Sequence, residues 1–581
     1  MAAIKLVLSN SAPNHPEGYV LKISKDGIEF RFRDIGGLHA ATATMRQLLR
    51  QYGRRLPCLE IRDWPDFARR GVMLDVSRGR VPKLETLLDF VGQLADFKIN
   101  ELQLYTEHTF AYRKYKSVWQ SWGALTAKEI RKLDAYCRAL GIDLVPNQNS
   151  FGHLRYFLEH PRLKKLAEVS APYAADSGEF VRRPTTLAPN HPGTLPFLRG
   201  LYNELLPNFS SRFFNVGCDE PWDLGRGQSK RLCVIKGEGR VYLDFLKRIQ
   251  LEVSRRRRRM MFWGDIILKH PKLIPELAKF GRDALPRVRA DRQVSPTLIA
   301  LNWGYEADHP FDREARLFAK SKIPFYVCPG TSTWQTLMGR HDNALANLRA
   351  AAKAGRRYGA IGYLITDWGD GGHPQPLAVS YLPILAGASL AWNAKGFDER
   401  KLVPALGRDI FGDPKIARAA FELGMVHRRL GVKAPNETPL GTVIAAPPKQ
   451  ERELFCRNGL KWFKRIPAKH IRAALKEIEK EIAILKSLGR QHAVPPTSGI
   501  LLQELDLAAR MAAQSCKFML WQQAVASGKM SEAKHLAQAG IRGLQKLEKD
   551  FNSCWPLRNK ATSKHCSPFL RWRINDYRRN F

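Results

Sequence analysis

The hydrophobic pattern of the chain is most regular between about residue 70 and residue 370. Short runs rich in β-branched and aromatic residues alternate there with longer amphipathic stretches. The short runs are apolar almost throughout, which indicates strands that are buried on both faces, as in a parallel sheet. The predicted strands cover residues 70–77, 101–107, 142–150, 213–220, 260–267, 297–305, 325–330 and 360–368.

The stretches between these strands have the period of amphipathic helices. Examples are KLETLLDFVGQLADFK, TAKEIRKLDAYCRALG and NALANLRAAAKAGRRYG, of which the last two end in the glycine typical of a helix C-terminus. Eight units of strand and helix within about 300 residues predict an α/β fold, a (β/α)8 TIM barrel. We assign this barrel to residues 67–395.

The segments on either side of the barrel predict two further domains. In residues 1–66, EGYVLKISKDGIEFRFRD predicts a hairpin that turns at Asp26-Gly27, and GLHAATATMRQLLRQYG predicts a helix after it, which together make a small α+β domain.

From residue 396 to residue 581 the strand pattern is lost and an all-helical domain is predicted. Helices are predicted at 499–525 and 531–551, and AVPPTSG (493–499) is the clearest linker between helices. Another amphipathic helix follows from apolar residues that recur at alternating spacings of four and three, namely Ile471, Leu475, Ile478, Ile482 and Leu485.

Length and composition exclude several classes of protein. A chain of 581 residues exceeds the size of one hydrophobic core, and no apolar run approaches the length of about 18 residues that a membrane helix needs. The first apolar run, near Ile4 to Leu8, is too short for a secretory signal. Nine scattered cysteines without a CxxC pair predict reduced thiols in a cytoplasmic protein, with no structural metal and no cofactor.

The charge balance is strongly basic, with 94 Lys and Arg against 55 Asp and Glu, a net charge of +39. Such a field attracts polyanions, but the basic residues are dispersed, and the only dense run, 255–259, lies in the last turn of a predicted helix. A solvated basic surface and a polyanion-binding function both remain open. No nucleic-acid-binding motif stands out, so an anionic glycan is the favoured polyanion, nucleic acid and membranes are disfavoured, and a homodimer remains open.

Polar and aromatic residues collect where the predicted strands end, which is where a barrel of this kind holds its reactive groups. Tryptophans and acids around one rim describe a sugar pocket, because aromatic rings cover the C–H face of a pyranose while carboxylates accept its hydroxyls. Arg70 begins strand one, and the residues near the strand ends are Glu107, His108, Asn147, Asn149, His153, Asp219, Glu220, Trp263, Asp265, Trp303, Tyr305, Trp334, Asp367, Trp368 and Asp370.

Each of these residues also has a simpler structural interpretation. A single tryptophan can serve core packing, Arg70 can pair with an acid, and His153 can be structural after its Phe-Gly turn. The Asp219-Glu220 pair can begin a loop or cap a helix N-terminus, where carboxylates are favoured. Four tryptophans at equivalent strand ends, together with the acid pair, favour a functional site.

Several separated motifs carry a resemblance to a known family. RRGVMLDVSRGRVPKLETLLDFVGQLADFKINELQLYTEH, then NSFGH and then FFNVGCDE, resemble the family 20 glycoside hydrolases, the β-N-acetylhexosaminidases, and most closely their cytoplasmic hexosaminidase D type. The resemblance covers about residues 17–395. It implies an exo-acting, retaining enzyme that needs no protein nucleophile, because in this family the 2-acetamido oxygen of the substrate attacks the anomeric carbon.

The resemblance also implies individual roles. Glu220 would protonate the leaving oxygen and later deprotonate water, and Asp219 would accept the acetamide N–H and stabilise the oxazolinium ion. No metal is implied. The implied substrate-binding residues are Arg70 for the sugar hydroxyls, His153 as rim support, Trp263, Trp303 and Trp368 as the aromatic box, Trp334 beside it, and Asp370 for the outer hydroxyls.

The chain departs from the family pattern in places. The family supplies a tyrosine near strand seven for the acetamide oxygen, where this chain has YVCPGTSTW, so Tyr305 is the candidate substitute. The usual Arg-His after strand one is Arg78-Gly79, which implies that one supporting contact is missing. The predicted function is release of terminal β-linked GlcNAc or GalNAc. The alternative is a non-catalytic barrel that binds carbohydrate or polyanions.

Overall fold

The structure of the protein is a computed structural model, and it describes residues 3–174, 181–283, 298–447, 459–491, 496–560 and 563–579. The strands of these residues form a four-stranded, an eight-stranded and a two-stranded sheet. The strands are β1 (Ala3–Leu8), β2 (Tyr19–Ile23), β3 (Gly27–Phe32), β4 (Leu59–Asp63), β5 (Arg69–Asp75), β6 (Glu101–Tyr105), β7 (Asp143–Val145), β8 (Tyr173–Ala174), β9 (Val181–Arg182), β10 (Phe213–Asn215), β11 (Arg259–Trp263), β12 (Leu298–Trp303), β13 (Phe325–Cys328) and β14 (Gly362–Asp367).

Helices connect the strands and make up the described part of the chain after residue 395. The α-helices are α1 (Ile35–Tyr52), α2 (Leu84–Asp96), α3 (Lys116–Trp119), α4 (Ala127–Ala139), α5 (Arg155–Leu158), α6 (Thr194–Leu205), α7 (Lys230–Lys236), α8 (Glu238–Ser254), α9 (Asp265–Lys269), α10 (Ile274–Asp283), α11 (Phe311–Lys320), α12 (His341–Tyr358), α13 (Tyr381–Asn393), α14 (Leu402–Leu406), α15 (Pro414–Met425), α16 (Pro439–Ala445), α17 (Ala468–Gln491), α18 (Pro496–Ala526), α19 (Met530–Arg558) and α20 (Pro568–Arg578).

The N-terminal sheet has the strand order β1-β3-β2-β4, with β2 antiparallel to both of its neighbours and β1 parallel to β3. The predicted hairpin is present, and Gly27 has φ of +154° at its turn. Asp34 caps α1 by accepting a hydrogen bond from the Gly37 N–H at 2.8 Å. The apolar face of α1 packs on β2 and β3, so this region has a small core of its own.

Eight parallel strands form the barrel in the order β10-β11-β12-β13-β14-β5-β6-β7. A parallel bridge between Asn147 and Asn215, just beyond the end of β7 and at the end of β10, joins the two outer strands of this sheet. The predicted (β/α)8 fold is therefore confirmed. Because every strand runs in the same direction, the loops that follow them meet at one rim.

Two apolar layers hold the barrel together. The outer layer lies between the strands and the surrounding helices. The inner layer fills the barrel with large side chains rather than leaving a pore. Its buried members are Met73, Tyr105, Val145, Met261, Trp263, Ile299, Leu301, Tyr326, Cys328, Trp334, Leu364 and Trp368.

The helices after residue 395 pack on one another and on the barrel, and α18 contacts α16, α17 and α19. A buried ion pair, Arg558 Nε to Glu504 Oε1 at 3.1 Å, joins α19 to α18. The other oxygen of Glu504 accepts a hydrogen bond from the Ala378 N–H at 3.1 Å. This helical region is thus anchored to the segment that follows the last barrel strand.

The predicted strands are present, but several are shorter than expected. Strand four, predicted over 213–220, ends at Asn215, because Gly217, Cys218 and Glu220 have φ values of +66°, +68° and +43°, which no strand accommodates. Strands β1, β4, β8 and β9 were not predicted. Residue 297, the predicted start of strand six, lies outside the described residues.

The helix predictions after residue 395 are confirmed in the described segments, with α17, α18 and α19 longer than expected. Of the predicted linker 493–499, residues 493–495 lie outside the described residues and 496–499 begin α18. The domain borders after residues 66 and 395 stay predictions. Within the described ranges, no helix combines the length and apolar content that a bilayer crossing needs.

Candidate active site

The two adjacent acids lie in a tightly constrained loop after β10. Cys218 and Glu220 have positive φ, which is costly for residues with a side chain and is common at functional sites. A Cβ on Gly217 would stand 1.7 Å from Asn149 Oδ1, and one on Gly152 would stand 2.5 Å from the Asp219 carbonyl oxygen. The loops after β7 and β10 therefore cross in close contact, and only glycine fits at both crossing points.

His153 joins the acids to the neighbouring strand ends. Its Nε2 lies 3.4 Å from Asp219 Oδ2 and 3.5 Å from Glu220 Oε2, and its Nδ1 lies 3.9 Å from Glu107 Oε1. Burial disfavours a charged imidazole, but these carboxylates raise the pKa of His153 well above its usual value. A cationic His153 therefore lies between Glu107 and the acid pair.

Arg78 is the second cation of the rim and lies on the loop after β5. Its guanidinium nitrogens lie 2.8 Å from Asp75, 3.0 Å from Asp370 and 3.2 Å from Glu107. The guanidinium also stands over the rings of Tyr105 and Trp368, at 5.0 and 5.3 Å. Burial disfavours its charge, yet Tyr105 and the carboxylates raise the pKa of Arg78 well above its usual value.

Tyr105 completes this network from inside the barrel. Its hydroxyl donates to Glu107 Oε1 at 2.9 Å and accepts from Asn149 Nδ2 at 2.6 Å. Burial raises the pKa of Glu107, against the opposing effect of Arg78 and His153. Ends of three consecutive barrel strands are therefore linked by hydrogen bonds and charges.

Two further acids at this rim have raised pKa values. Burial raises the pKa of Asp370 to about 6, although Arg78 favours the ionised form. Burial, and then the charges of Asp219 and Glu220, raise the pKa of Asp265 to about 8. Carboxyl groups whose pKa values are raised in one cleft are a feature of functional sites, where acid and base chemistry is needed.

The predicted aromatic residues share one cluster, but they differ in depth. Trp303 and Tyr305 are half-buried and stacked, with centroids 5.1 Å apart and planes 22° apart. Trp368 donates from Nε1 to the Tyr305 hydroxyl at 2.7 Å. Trp263 and Trp334 are almost fully buried and pack behind Trp368 and Tyr305. The half-buried residues form the reachable wall, and the buried ones support it.

The structure does not bring Arg70 to this site, which corrects its predicted place there. Arg70 lies near the start of β5, at the opposite end of the barrel from the rim. It is buried, donates to the carbonyl oxygens of Lys98 at 2.9 Å and Phe67 at 2.8 Å, and pairs with Glu17. Its simpler interpretation, pairing with an acid, is the observed one.

Sequence reasoning missed Arg78 as the arginine of the site, and it did not assign roles to Glu107 or Tyr105. A usable signal was present for Arg78: in a parallel barrel only residues beyond the end of a strand reach the rim, and Arg70 begins its strand whereas Arg78 follows it. The supporting contact expected to be missing where Gly79 replaces the family's histidine stays a prediction, since the three carboxylate contacts are made by Arg78.

The acid pair and His153 could in principle bind a cation, since each offers one ligand atom and these atoms lie within 4.8 Å of one another. The protonation of His153 disagrees with this interpretation. A histidine ligand must be neutral, and the surrounding carboxylates favour its charged form. The arrangement suits proton transfer and hydrogen bonding better than metal binding.

Comparisons with known families agree with this geometry. Residues 67–280 match the sequence model described as "Glycosyl hydrolase family 20, catalytic domain", and residues 1–64 match "Glycosyl hydrolase family 20, domain 2". The two matched segments are the N-terminal sheet with its helix and the part of the barrel from β5 to α10.

Individual relatives are distant. A beta-hexosaminidase of Vibrio furnissii is 29% identical over 247 residues, 37% of this chain and 39% of the relative. A hexosaminidase D of Bos taurus is 25% identical over 257 residues, 43% of this chain and 67% of the relative. The chain therefore spans well under two thirds of the length of the Vibrio enzyme.

Among solved structures, the Flavobacterium johnsoniae chitobiase has a TM-score of 0.54 at 18% identity, covering 90% of this chain and 83% of the chitobiase chain. At this identity the likeness concerns the fold alone. Together with the two matches to the family's domains, it confirms the resemblance carried by the sequence motifs. Residues 1–280 of the chain thus match domain 2 and the catalytic domain of glycoside hydrolase family 20.

Proposed function

We propose that the protein is an exo-acting, retaining β-N-acetylhexosaminidase that removes terminal β-linked GlcNAc or GalNAc by substrate-assisted catalysis. The observation that carries the proposal is the position of Asp219 and Glu220, whose carboxylates both lie within 3.5 Å of His153 Nε2. A protein nucleophile and an acid would have to flank the sugar ring about 5 Å or more apart. Two acids beside one imidazole nitrogen suit a substrate that brings its own nucleophile.

Glu220 is the proposed general acid and base. In the first step it gives its proton to the glycosidic oxygen, the bond from that oxygen to the anomeric carbon breaks, and the acetamido oxygen bonds to the anomeric carbon. The oxazolinium ion that forms is opened by water, whose proton returns to Glu220, and the β configuration is retained. His153 is the proposed positioning group, since it contacts Glu220 on one side and Glu107 on the other.

Asp219 is the proposed acceptor of the acetamide N–H. An ionised carboxylate there stabilises the positive charge that develops as the ring closes, and this is where electrostatic catalysis is most effective. Tyr305 is the proposed donor to the acetamide oxygen, because its hydroxyl already accepts from Trp368 Nε1 and its proton is left to donate. Burial raises the pKa of Tyr305, so this proton is retained at neutral pH.

The remaining rim residues are proposed to bind the sugar. Arg78 and Asp370 carry opposite charges 3.0 Å apart at the edge of the cluster, where they suit ring hydroxyls that both donate and accept. Trp303 and Trp368 would cover the apolar face of the pyranose. The substrate class is accordingly a glycan with a terminal N-acetylhexosamine.

Two further features extend the proposal beyond the barrel. Eight cysteines of the described residues are free thiols, which supports a reducing compartment such as the cytoplasm. The net charge of +39 supports anionic glycans as preferred substrates.

Hydrolysis of aryl β-GlcNAc and aryl β-GalNAc tests the proposal. We expect the wild type to release the aryl alcohol and Glu220→Gln to be slower by about 100-fold or more, the typical contribution of a general acid. Glu159→Gln, at an exposed ion pair with Arg155, is the matched control and should keep full activity. No hydrolysis of either sugar by the folded wild type would contradict the proposal.

A second measurement addresses the mechanism. A thiazoline derivative of N-acetylglucosamine mimics the cyclised intermediate, so we expect competitive inhibition, and Asp219→Asn should weaken it. An active enzyme that the thiazoline does not inhibit would instead use a protein side chain as its nucleophile.

A further inference from the structure

The loop after β5, residues 76–83, is lined on its outer side by residues from the C-terminal end of the chain. Three backbone contacts join them: Lys83 N to Arg558 O at 2.8 Å, Lys560 N to Val81 O at 2.7 Å, and the antiparallel bridge between Pro82 and Asn559. We call the residues that make these contacts, with two that follow, the C-terminal clamp: Arg558, Asn559, Lys560, His565 and Cys566.

Gly79 is the point where the clamp meets the active site. The Cys566 Sγ donates to the Gly79 carbonyl oxygen at 2.9 Å. Gly79 has φ of +102°, and a Cβ there would stand 2.8 Å from Cys566 Sγ and 3.1 Å from the Gly372 carbonyl oxygen. Gly79 directly follows Arg78, and Gly372 lies two residues after Asp370. The clamp therefore contacts the loop that carries Arg78 at the point where this loop touches the loop that carries Asp370.

The chemistry of Cys566 suits a permanent donor. The residue is buried, and burial raises the pKa of its thiol well above the usual value. A thiol that stays protonated can keep its hydrogen bond to Gly79 across the neutral pH range. Because the Gly79 carbonyl is thereby held, the peptide that joins Gly79 to Arg80 is restrained, and with it the backbone directly after Arg78.

His565 holds a second loop of the rim. Its ring stacks on Trp122, with centroids 3.7 Å and planes 13° apart, and its Nε2 lies 2.8 Å from the Ser121 carbonyl oxygen. Lys560 Nζ donates to the Ala124 carbonyl oxygen at 3.0 Å in the same loop. These residues lie after α3 in the connection from β6 to α4, and Glu107, the third carboxylate that contacts the Arg78 guanidinium, lies near the start of the same connection.

The barrel also holds the loop after β5 from the inside. Arg80 pairs with Asp367 at 2.9 Å and donates to the Gln375 carbonyl oxygen at 2.9 Å. These contacts fix Arg80 but make no contact with the Gly79 carbonyl, which faces the clamp. The inner contacts thus hold the Arg80 side chain, and the outer contact holds the Gly79 carbonyl of the same loop.

We propose that Cys566 and His565 are positioning residues of the active site, which align Arg78 between Asp370 and Glu107 through the Gly79 carbonyl and the loop after β6. The C-terminal helical region is then a working part of the sugar site rather than a separate appendage. The inference rests on the proposed glycosidase function, because Arg78 is assigned there to bind the sugar.

Steady-state kinetics of Cys566→Ala, Cys566→Ser and Cys516→Ala test the proposal. Cys566→Ala should raise KM about fivefold with a smaller fall in kcat, the size expected for one lost buried hydrogen bond. Cys566→Ser keeps a donor and should restore most of the KM. Cys516, buried in α18 away from this loop, is the matched control, and its alanine variant should lose stability without a change in KM.

His565→Ala provides a second variant on a half-buried residue, should Cys566→Ala fold poorly. It removes the stack on Trp122 and should raise KM by about twofold to threefold, since the backbone contacts of the clamp remain. A Cys566→Ala enzyme with the KM of the wild type, or a serine variant no better than the alanine variant, would overturn the proposal.

Hydrogen–deuterium exchange separates this inference from the proposed function, because it needs no activity. Peptides that cover residues 76–83 and 367–373 should exchange faster in Cys566→Ala than in the wild type, whereas a peptide over β11 should not change. Unchanged exchange in both loops would overturn the positioning role even in an active enzyme. An inactive wild type with the expected exchange would overturn only the glycosidase assignment.

Discussion

An arginine lies at each end of β5, the buried Arg70 near its start and the half-buried Arg78 after its end, and their surroundings differ in charge balance. Arg70, at the lower end, has one acid, Glu17, and two backbone carbonyls as partners. Arg78, at the rim, has three carboxylates within 3.2 Å. The charge of Arg70 is balanced by Glu17, and its N–H groups have carbonyl acceptors. Arg78, in contrast, brings one positive charge to three carboxylates.

The difference separates a structural arginine from the arginine that we propose binds the sugar. Arg70 joins the barrel to the N-terminal sheet, and its ring contact with Trp392, at 5.0 Å, adds packing. At the rim, burial and then neighbouring carboxylates raise the pKa values of Asp370 and Asp265, and the carboxylates around His153 raise its pKa against the effect of burial. Unbalanced charge costs stability, and such a cost is retained where it serves binding or proton transfer.

The largest expected effect is that of Arg78→Ala on catalysis. We expect kcat/KM to fall by about 100-fold, because a charged partner of the sugar and the counter-charge of Asp370 are both lost. The melting temperature should fall as well, since Asp75, Glu107 and Asp370 lose the cation that they share. Kinetics on an aryl β-N-acetylhexosaminide and a thermal melt together check both parts.

Arg70→Ala should lower stability but leave catalysis unchanged. Removing it leaves Glu17 and two carbonyl oxygens without their donor, so unfolding should become easier by about 3 kcal/mol. The folded enzyme should keep its KM, because Lys98, Phe67 and Glu17, which contact the Arg70 side chain, lie away from the rim. Denaturant unfolding measures the first part. A selective loss of activity in a stable Arg70→Ala protein would break the comparison.

The two arginines also mark what the sequence could and could not predict. The barrel and the acid pair followed from periodicity and from the motif around Asp219, because both are local in the chain. Arg78 was overlooked since its value depends on Asp370 and Glu107, which come from two other strands. The clamp at Cys566 could not be predicted at all, as 487 positions separate it from Gly79.

The pH dependence of binding should follow Asp370, a smaller effect. Its pKa is raised to about 6, so the carboxylate that pairs with Arg78 is present above that pH and is lost below it. We expect kcat/KM to fall about tenfold as pH falls through this value, in the range of one charge-assisted hydrogen bond.

Asp370→Asn should abolish this fall of kcat/KM at acidic pH, and it should lower kcat/KM at neutral pH. Asp26→Asn, at the exposed hairpin turn, changes the net charge equally and should leave the profile alone. If kcat/KM of Asp370→Asn still fell at acidic pH, another group would be responsible for the titration.

The smallest effect concerns stability at Asp265, whose ionised form is favoured only by Lys269 and a hydrogen bond from Trp303 among the groups that shift its pKa. Its pKa of about 8 lies above that of an unfolded aspartate, so between those two values the folded state holds a proton that the unfolded state has released. Stability from this group is therefore greatest at low pH and declines as pH rises toward about 8. Asp265→Asn removes the titration, so its melting temperature relative to the wild type should rise between about pH 5 and about pH 8. The difference in melting temperature between Asp265→Asn and the wild type could instead stay constant with pH while Asp26→Asn behaves like the wild type. Asp265 would then be ionised in the folded protein, and the rim would carry one more negative charge.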